Sequence, residues 1–482
     1  MRNLRLTSEM KYINEFLGGV PALAFDDFRA ELQHLKTPGT AVDIPVLQAI
    51  AFIIEKLSDL RALFSQNEEQ TPLLCEWINQ IMFDSTLAKR IGEVIDEDGE
   101  IRSSASERLA EIRKEITGQR RKIEKTIQSM LKSLKEKGQV DEDVNLSIRG
   151  GRLVIPVHAS KKRMIKGVVL DESATGQTVF IEPIEIFELN NEVQDLEFEE
   201  KREIIKILTA LADRIRPQIS ELFEHIDFIG KIDFINAKSK LAILYNAVMP
   251  VISEDRRMTI MQGRHPVLEE SLKKSGRKII PLDLELGPEQ RMIIISGPNA
   301  GGKSVAMKTT GLLQYMFQCG FLVPAAEGTV LFPFDEILAD IGDQQSIEND
   351  LSTYSSHLLN MKQFMQKGNE RTLILIDEFG TGTEPESGGA IAEAVLEVLN
   401  KSMCYGVITT HYFNLKMFAS NHDGVINGAM LFDNEQLKPL YKLKTGKPGS
   451  SFAIEIASSI GLPEDVISNA SSRIGKGRIE ME

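Results

Sequence analysis

The spacing of apolar residues divides the chain into two parts. Up to about Met249 the pattern is mostly that of long helices. The segment 105–138 is typical of a coiled-coil seam, because its apolar residues recur at steps of three, four or seven. These residues are Leu109, Ile112, Ile116, Ile123, Ile127, Met130 and Leu134. A second such helix follows, with one apolar face formed by Leu189, Val193, Leu196, Leu208, Leu211 and Ile215. We expect the two helices to pair antiparallel.

A segment with a different pattern lies between these two helices. Its β-branched runs and turn residues, at about 145–185, predict a small sheet at the tip of the helical hairpin. Gly150 and Gly151 are typical of a hairpin turn. The helical part is therefore predicted to comprise a first helical segment at 1–104, an arm at 105–218, and a connector at 219–250.

The predicted tip has an unusual charge distribution. Between Asn145 and Val169 there are six basic residues and no Asp or Glu. The six are Arg149, Arg152, Lys161, Lys162, Arg163 and Lys166. Basic side chains held on a sheet could neutralise the phosphates of a nucleic acid with little base selectivity. A solvated basic face is the alternative interpretation.

After Pro250 short apolar runs alternate with helical segments, which predicts an α/β domain with a parallel sheet at 251–482. One apolar run leads into Gly297, Pro298, Asn299, Ala300, Gly301, Gly302, Lys303, Ser304 and Val305. The pattern GxxxxGK[ST] between a strand and a helix is typical of a phosphate-binding P-loop. Lys303 would place a positive charge at the phosphates and Ser304 a hydroxyl at Mg²⁺. The alternative is a glycine turn that binds no nucleotide.

Two further apolar strands end in residues suited to nucleotide hydrolysis. Asp377 follows the strand Leu373 to Ile376 and would hold Mg²⁺, while Glu378 beside it would polarise the attacking water. His411 follows the strand in YGVITTHY, where an imidazole could sense the γ-phosphate. Acids at strand ends also occur as simple caps, and a lone histidine there is often structural. The pairing with the glycine-rich loop favours the catalytic interpretation.

Composition limits the class of protein. The 482 residues suffice for two or more domains. A net charge of -14 argues against general adhesion to nucleic acid or anionic membranes, so such contact would need a local patch. Cys75, Cys319 and Cys404 lack metal or disulfide spacing, which is typical of a reduced, cytoplasmic compartment. No signal peptide and no apolar run near the roughly 20 residues of a membrane helix are found, so no membrane partner is expected.

Five motifs, in this order, resemble the ATPase domain of the MutS family of DNA repair proteins. They are GRHPVLE, GPNAGGKS, DLSTYSSHL, LIDEFGTGTEP and TTHYFNLK. The arm motifs LSIRGGRLVIPV, GVVLDESATGQTVFIEP and ELNNEV are similar to those of the second bacterial MutS branch, whose members end in a Smr nuclease domain. The likeness spans about Asp96 to Arg473, and the first hundred residues resemble part of that branch's lever.

The resemblance implies a fold and further site residues. The fold would be an α/β P-loop ATPase domain of the ABC type, preceded by a mainly α-helical lever and clamp region with a small β tip. Such ATPases bind ATP and Mg²⁺ and act as homodimers, in which a loop of one subunit reaches the γ-phosphate bound by the other. The residues so implied are Ser352, Thr353 and Tyr354 in that loop, Asn299 at the γ-phosphate or its attacking water, and Tyr441 stacked on adenine. Ile279 falls near the other base-stacking position, where mismatch-reading members have an aromatic residue. The segment 451–471 resembles the family's dimerisation element.

The same resemblance leads us to expect that this chain is not a mismatch reader. Mismatch-reading members carry an N-terminal domain with a Phe-x-Glu wedge, whereas this chain starts in helical lever sequence. Phe180-Ile181-Glu182 spells the tripeptide but matches an arm motif instead. The chain ends at Glu482, so we expect either a core fragment or a short member, with no endonuclease activity of its own.

The expected function is a nucleotide-gated clamp. ATP bound between two subunits would close the dimer and shut the basic tips around a nucleic acid chosen by its shape. The resemblance implies branched or recombination-intermediate DNA and suppression of homologous recombination. The alternative is a ribosome-associated ATPase that contacts rRNA in stalled or collided ribosomes. A different ABC-type machine, such as a transporter motor, would have a glycine-rich signature in place of DLSTYSSHL.

Overall fold

The computed structural model describes residues 1–298, 301–342, 353–433, 438–449, 454, 457–458 and 460–473. The chain divides into two compact units. The α/β unit comprises Met1–Val20, Glu68–Leu74 and Phe234–Glu482, and the arm unit comprises Pro21–Asn67 and Cys75–Asp233. The boundaries of the four predicted segments stay a prediction.

The elements are numbered here in chain order. The helices are α1 (Arg2–Phe16), α2 (Arg29–Leu35), α3 (Ile44–Gln66), α4 (Pro72–Asn79), α5 (Ser85–Val94), α6 (Glu107–Glu136), α7 (Ile184–Ile215), α8 (Ile219–Leu244), α9 (Pro266–Lys274), α10 (Lys303–Gln318), α11 (Thr353–Lys367), α12 (Pro385–Lys401), α13 (Phe413–Asn421) and α14 (Glu464–Arg473). Short 3-10 helices span Ser103–Ala105, Ala159–Met164 and Arg216–Gln218. The strands are β1 (Ser147–Arg149), β2 (Arg152–His158), β3 (Gly167–Glu172), β4 (Thr178–Pro183), β5 (Val251–Ile252), β6 (Met258–Gly263), β7 (Leu282–Leu286), β8 (Gln290–Ser296), β9 (Val330–Leu331), β10 (Glu336–Asp340), β11 (Thr372–Ile376), β12 (Tyr405–Thr409), β13 (Gly424–Asp433) and β14 (Lys438–Thr445). Across the described ranges, every helix is too short or too polar to cross a bilayer.

The two long helices of the arm unit pack antiparallel, as their apolar spacing predicts. Contacts between them run in opposite directions along the chain: the Arg108 guanidinium contacts Glu199 at 2.7 Å, and Gln119 further along α6 contacts Glu192 earlier in α7 at 2.9 Å. Most of the predicted seam residues share one buried cluster, namely Ile112, Ile116, Ile123, Ile127, Leu189 and Val193, with Met130, Leu134 and Leu196 partly buried against it. Leu109, Leu211 and Ile215 are buried outside this cluster, and Leu208 is only half-buried. The Ser106 hydroxyl accepts a hydrogen bond from the Leu109 N–H and so caps the start of α6.

The predicted tip sheet is present. Four antiparallel strands lie in the order β1-β2-β4-β3, and their buried face joins the apolar core of α6 and α7. Gly150 and Gly151 form the two-residue turn between β1 and β2 with φ of 55° and 79°. A two-residue turn with both φ angles positive matches the twist of an antiparallel pair, and glycine adopts it without steric cost.

The α/β unit contains the predicted parallel sheet. Its strand order is β10-β11-β12-β8-β13-β14, and only β14 runs antiparallel to its neighbour. The strands β8, β11 and β12 are buried along nearly their whole length, because helices and loops cover both faces of the sheet. The carboxyl ends of these three strands meet at one edge, and the residues that follow them form the candidate site.

A second sheet of the α/β unit, with the order β5-β9-β6-β7, was not expected from the sequence. Its strands β5 and β9 have only two residues each, too few to show an alternating pattern. The sheet brings Gly263 at the end of β6 beside Leu282 at the start of β7. Both residues line the large cavity described below.

We predict that Arg152→Ala destabilises the tip sheet. The Glu182 side chain is 0% exposed and contacts the Arg152 guanidinium at 3.0 Å, with Asn190 donating a second hydrogen bond. Removing the cation leaves a buried carboxylate without a counter-charge, which typically costs about 3 kcal/mol. Hydrogen exchange of the β2 and β4 amides should accelerate accordingly. Lys162→Ala, at an exposed position, is the matched control and should leave exchange unchanged. Equal exchange in wild type and Arg152→Ala would show that the pair does not stabilise the sheet.

Candidate functional site

The glycine-rich segment has the strand, turn and helix that its sequence predicts. Strand β8 ends at Ser296, and α10 begins at Lys303. Gly297 and Gly302 have φ of 137° and 93°, and a Cβ on Gly297 would lie 3.1 Å from the Met430 Cβ. Only glycine fits such a close approach at positive φ. The turn therefore points the N-terminus of α10 toward the carboxyl edge of the sheet, the usual place for an anion. Asn299 and Ala300 lie outside the described residues.

Lys303 is the buried cation of this turn. Its side chain folds back so that Nζ donates to the carbonyl oxygens of Gly297 at 2.9 Å and Pro298 at 3.2 Å. The residue is 3% exposed. Burial lowers the pKa of Lys303 to about 8, against the opposing effect of the nearby Glu378 and Asp377 carboxylates. The ammonium thus lies where an incoming anion would relieve its desolvation.

Asp377, which follows β11, contacts the start of α10 and the end of β12 through one oxygen atom. The Ser304 hydroxyl donates to Asp377 Oδ1 at 2.8 Å, and the Thr409 hydroxyl donates to the same atom at 2.6 Å. A carboxylate and a hydroxyl are ligands that Mg²⁺ prefers, usually together with phosphate oxygens and water. No group of three or more His, Cys, Asp or Glu side chains with metal-binding geometry occurs in the described ranges. A divalent ion here would take Ser304 and Asp377 as ligands.

Glu378 adopts a strained backbone conformation directly after Asp377. Its φ is 49°, which is unfavourable for a residue with a Cβ. The Glu378 N–H donates to the Thr409 hydroxyl at 2.8 Å, which helps to hold this conformation. The side chain is exposed. Strain of this kind is concentrated at functional sites. Thr409 was not singled out in the sequence, although it adjoins His411 in the TTHY motif.

His411 lies against Lys303. Its Nε2 is 3.2 Å from the Lys303 Nζ. Burial lowers the pKa of His411, and the charges of Lys303 and Lys416 lower it further. The imidazole is therefore neutral at pH 7, and Nε2 accepts from the ammonium.

Lys416 is a second buried cation that sequence reasoning missed. It is 7% exposed, and its Nζ donates to the Gly449 carbonyl at 2.8 Å. The Gly449 N–H in turn donates to the Ser296 hydroxyl at 2.8 Å, and a Cβ on Gly449 would lie 2.7 Å from the Ser296 carbonyl oxygen. Lys416 thus fixes the 446–449 turn against the end of β8. The signal in the sequence that could have identified Lys416 is its position as the last residue of the motif TTHYFNLK.

A cavity of about 530 Å³ opens beside the start of α10. Gly302, Lys303, Ser304 and Val305 line one side, and Ile279 and Tyr441 line it as well, together with His265, Arg277 and Lys278. Tyr441 has φ of 53° and is 49% exposed, and a Cβ on Gly302 would lie 3.3 Å from its ring. The volume is within the usual range for small-molecule sites. Both residues expected at the base-stacking positions therefore face the same space.

The expected trans loop is only partly described. Ser352 and the side chain of Thr353 lie outside the described residues, and Thr353 is the first residue of α11. Tyr354 Oη is buried and has no hydrogen-bond partner among the described residues. Of the predicted dimerisation segment 451–471, the structure describes residues 454, 457–458 and 460–471, and α14 begins within it at Glu464.

The six basic tip residues fall into two groups. Three contact acidic residues that flank the acid-free stretch: Arg149 contacts Asp171 at 2.9 Å, Arg152 contacts Glu182, and Lys161 contacts Asp141 at 3.1 Å. Arg149 also stacks on the Phe180 ring. The other three, Lys162, Arg163 and Lys166, are exposed and form no ion pair within the described ranges. Only these three carry an uncompensated charge.

Comparison with known proteins identifies relatives over nearly the whole chain. The family model MutS domain V matches residues 293–476. A protein of Geobacillus sp. (strain WCH70) named Endonuclease MutS2 is 37% identical over 460 residues, covering 95% of this chain and 58% of that protein. Proteins of the same name from Pelotomaculum thermopropionicum and Thermomicrobium roseum are both 36% identical, covering 100% and 99% of this chain and 60% and 61% of those proteins.

The chain therefore spans about three fifths of the length of the relatives it matches. Its glycine-rich turn, Asp377, Glu378 and His411 all lie inside the region matched by MutS domain V. The relatives align with both the arm and the α/β unit, as the separate motifs of the two regions indicated. In sequence, the chain resembles MutS2-type proteins of the MutS family over nearly its whole length.

Proposed function

We propose that this chain is an ATP hydrolase whose activity depends on nucleic acid, and that it acts as a homodimeric, ATP-gated DNA clamp. The observation that carries the proposal is the meeting of Lys303, Ser304 and Asp377 at one edge of the parallel sheet, beside the N-terminus of α10. The match to MutS domain V supports the same conclusion. ATP is the substrate, Mg²⁺ is the cofactor, and a cytoplasmic location is part of the proposal.

The site residues have complementary roles toward ATP. Backbone N–H groups of 297–302 and the N-terminus of α10 hold the phosphates. The Lys303 ammonium leaves the Gly297 and Pro298 carbonyls and pairs with the β- and γ-phosphates. The base enters the 530 Å³ cavity and stacks on Tyr441, with Ile279 packed against it. Asn299 approaches the γ-phosphate from the loop.

Ser304 and Asp377 would hold Mg²⁺, because their oxygen atoms already lie within 2.8 Å of each other. When bound, Mg²⁺ neutralises charge that develops on the phosphate oxygens. Glu378 polarises the attacking water from its strained position after β11. His411 loses its hydrogen bond from Lys303 when the lysine turns to the phosphates. Its Nε2 can then take up a proton and donate a hydrogen bond to the γ-phosphate. Ser352 and Thr353 complete the site of the partner subunit.

The arms supply the nucleic-acid contact. Lys162, Arg163 and Lys166 neutralise backbone phosphates, with Arg149, Arg152 and Lys161 contributing less because acids already compensate them. Such contacts carry little sequence information, so the ligand is selected by shape, as in branched or recombination-intermediate DNA. Binding such DNA would suppress homologous recombination. The same contacts would also suit rRNA, so action on stalled ribosomes remains the alternative. We expect no nuclease activity from this chain.

Replacement of Glu378 tests the hydrolytic role. Glu378→Gln removes the carboxylate that polarises water, so ATP turnover should fall about 10²- to 10⁴-fold while ATP still binds. Single-turnover hydrolysis and equilibrium binding of a labelled nucleotide measure the two effects. Glu386→Gln, an exposed glutamate in the first turn of α12, is the matched control and should keep full turnover. Normal turnover in Glu378→Gln would remove Glu378 from the mechanism.

The pKa of Lys303 predicts a pH dependence of binding. In the free protein Lys303 has a pKa of about 8, so it is protonated at lower pH and loses its proton at higher pH. Bound phosphate stabilises the protonated form. Affinity for a non-hydrolysable ATP analogue should therefore weaken above pH 8, by about tenfold at pH 9, with proton uptake on binding. Calorimetry in buffers of different ionisation enthalpy measures both. Lys303→Arg stays charged and should show no such fall. A flat wild-type profile to pH 9.5 would contradict the assignment.

Salt titration tests the tip. Replacing Lys162, Arg163 and Lys166 together by alanine should lower the slope of log affinity against log salt by about 2.7 per arm, at 0.9 per phosphate contact. Arg149→Ala with Lys161→Ala, which removes charges that are already compensated, should change the slope less. Binding is measured on a four-way junction and on plain duplex, and by co-sedimentation with ribosomes. Retention only by ribosomes would favour the alternative function, and an unaltered slope would assign the tip a structural role.

A further inference from the structure

Asp340 occupies a position that the proposed mechanism does not yet use. It is the last residue of β10, the strand beside β11, and it is 4% exposed. Its backbone carbonyl accepts the Asp377 N–H at 2.9 Å. The main chain of Asp340 therefore helps to fix the residue that would hold Mg²⁺ in the same subunit.

The side chain of Asp340 is directed to a different element. His357 Nδ1 lies 2.6 Å from Asp340 Oδ2, and the Asn360 amide donates to Asp340 Oδ1 at 2.8 Å. An ionised carboxylate only accepts hydrogen bonds, so Nδ1 carries the proton. His357 and Asn360 are three residues apart and therefore lie on one face of α11. This helix begins at Thr353, directly after Ser352.

The first turn of α11 also packs against the segment that follows Glu378. A Cβ on Gly382 would lie 3.4 Å from the Tyr354 Cβ. Asp340, Tyr354, His357, Asp377 and Glu378 all line a small cavity of about 20 Å³. Such a volume accommodates about one water molecule, so these groups are close neighbours with little room to move apart.

We propose that His357, held by Asp340, is a positioning residue that fixes the first turn of α11, from which Tyr354 and the preceding Ser352 would act on the ATP bound by the partner subunit. This inference rests on the proposed function, in which the loop holding these residues acts in trans. Misplacing a catalytic group by about 1 Å can cost 100-fold in rate. Asp340 then contacts its own subunit's Asp377 through the main chain and serves the partner's site through the side chain. One buried residue thereby connects the two nucleotide sites of the dimer.

Mixed dimers distinguish this role from a purely structural one. His357→Ala and Glu378→Gln are each expected to have little ATPase activity alone. In a mixed dimer, one site combines an intact Glu378 with an intact loop from the other chain. An equimolar mixture should therefore recover about a quarter of wild-type activity, because half the dimers are mixed and each has one working site of two. A His357 that serves its own subunit's site would give no recovery.

Two controls make each outcome decisive. Ser352→Ala mixed with Glu378→Gln tests trans action of the loop by itself, and His357→Asn, whose amide can still donate to Asp340, should keep most of the activity.

Recovery in both mixtures supports the inference. Recovery with Ser352→Ala but not with His357→Ala overturns it while leaving the proposed function intact. Recovery in neither mixture rejects the shared-site dimer itself. Full activity of His357→Ala alone also overturns the inference. Should His357→Ala fail to fold, the variant Asn360→Ala takes its place in the same mixture, because it removes the other hydrogen bond to Asp340.

Discussion

The site depends on one oxygen atom, Asp377 Oδ1, which accepts hydroxyl hydrogen bonds from Ser304 at the start of α10 and from Thr409 at the end of β12. Three separate segments are thus fixed relative to one another by a single carboxylate. The Thr409 hydroxyl also accepts the Glu378 N–H and so helps to maintain the unfavourable φ of that residue. Because the strand order places β8, β12 and β11 side by side, the parallel sheet is what allows these contacts.

The electrostatics of the site favour an anionic ligand. Lys303 and Lys416 are both buried, and the Lys303 ammonium donates to two backbone carbonyl oxygens while the Lys416 ammonium donates to one. Burial is the largest cause of the lowered pKa of Lys303, and the nearby Glu378 and Asp377 carboxylates oppose it without reversing it. A bound polyphosphate would stabilise the protonated ammonium further.

Local patterns in the sequence predicted the arm helices, the tip sheet and the glycine-rich turn, because each follows from spacing over a few residues. Lys416 and Asp340 were missed for the opposite reason. Lys416 is hydrogen-bonded to Gly449, which is 33 residues away, and Asp340 is hydrogen-bonded to His357, which is 17 residues away. Neither separation leaves a periodic signal. The tip shows the same limit: its acid-free stretch was apparent, but the acids that pair with it come from Asp141, Asp171 and Glu182 outside that stretch.

This partial compensation of the tip bears on how ATP could control DNA binding. Of the six basic residues of the tip only Lys162, Arg163 and Lys166 are uncompensated, so one tip offers few phosphate contacts, and the overall charge of -14 opposes general attraction to DNA. Two arms acting on one DNA molecule make the second contact intramolecular, which multiplies the affinity. Weak single arms therefore make binding sensitive to whether the dimer holds both in place. In the proposed clamp, the internal ion pairs of the tip would lower the affinity of a single arm for DNA.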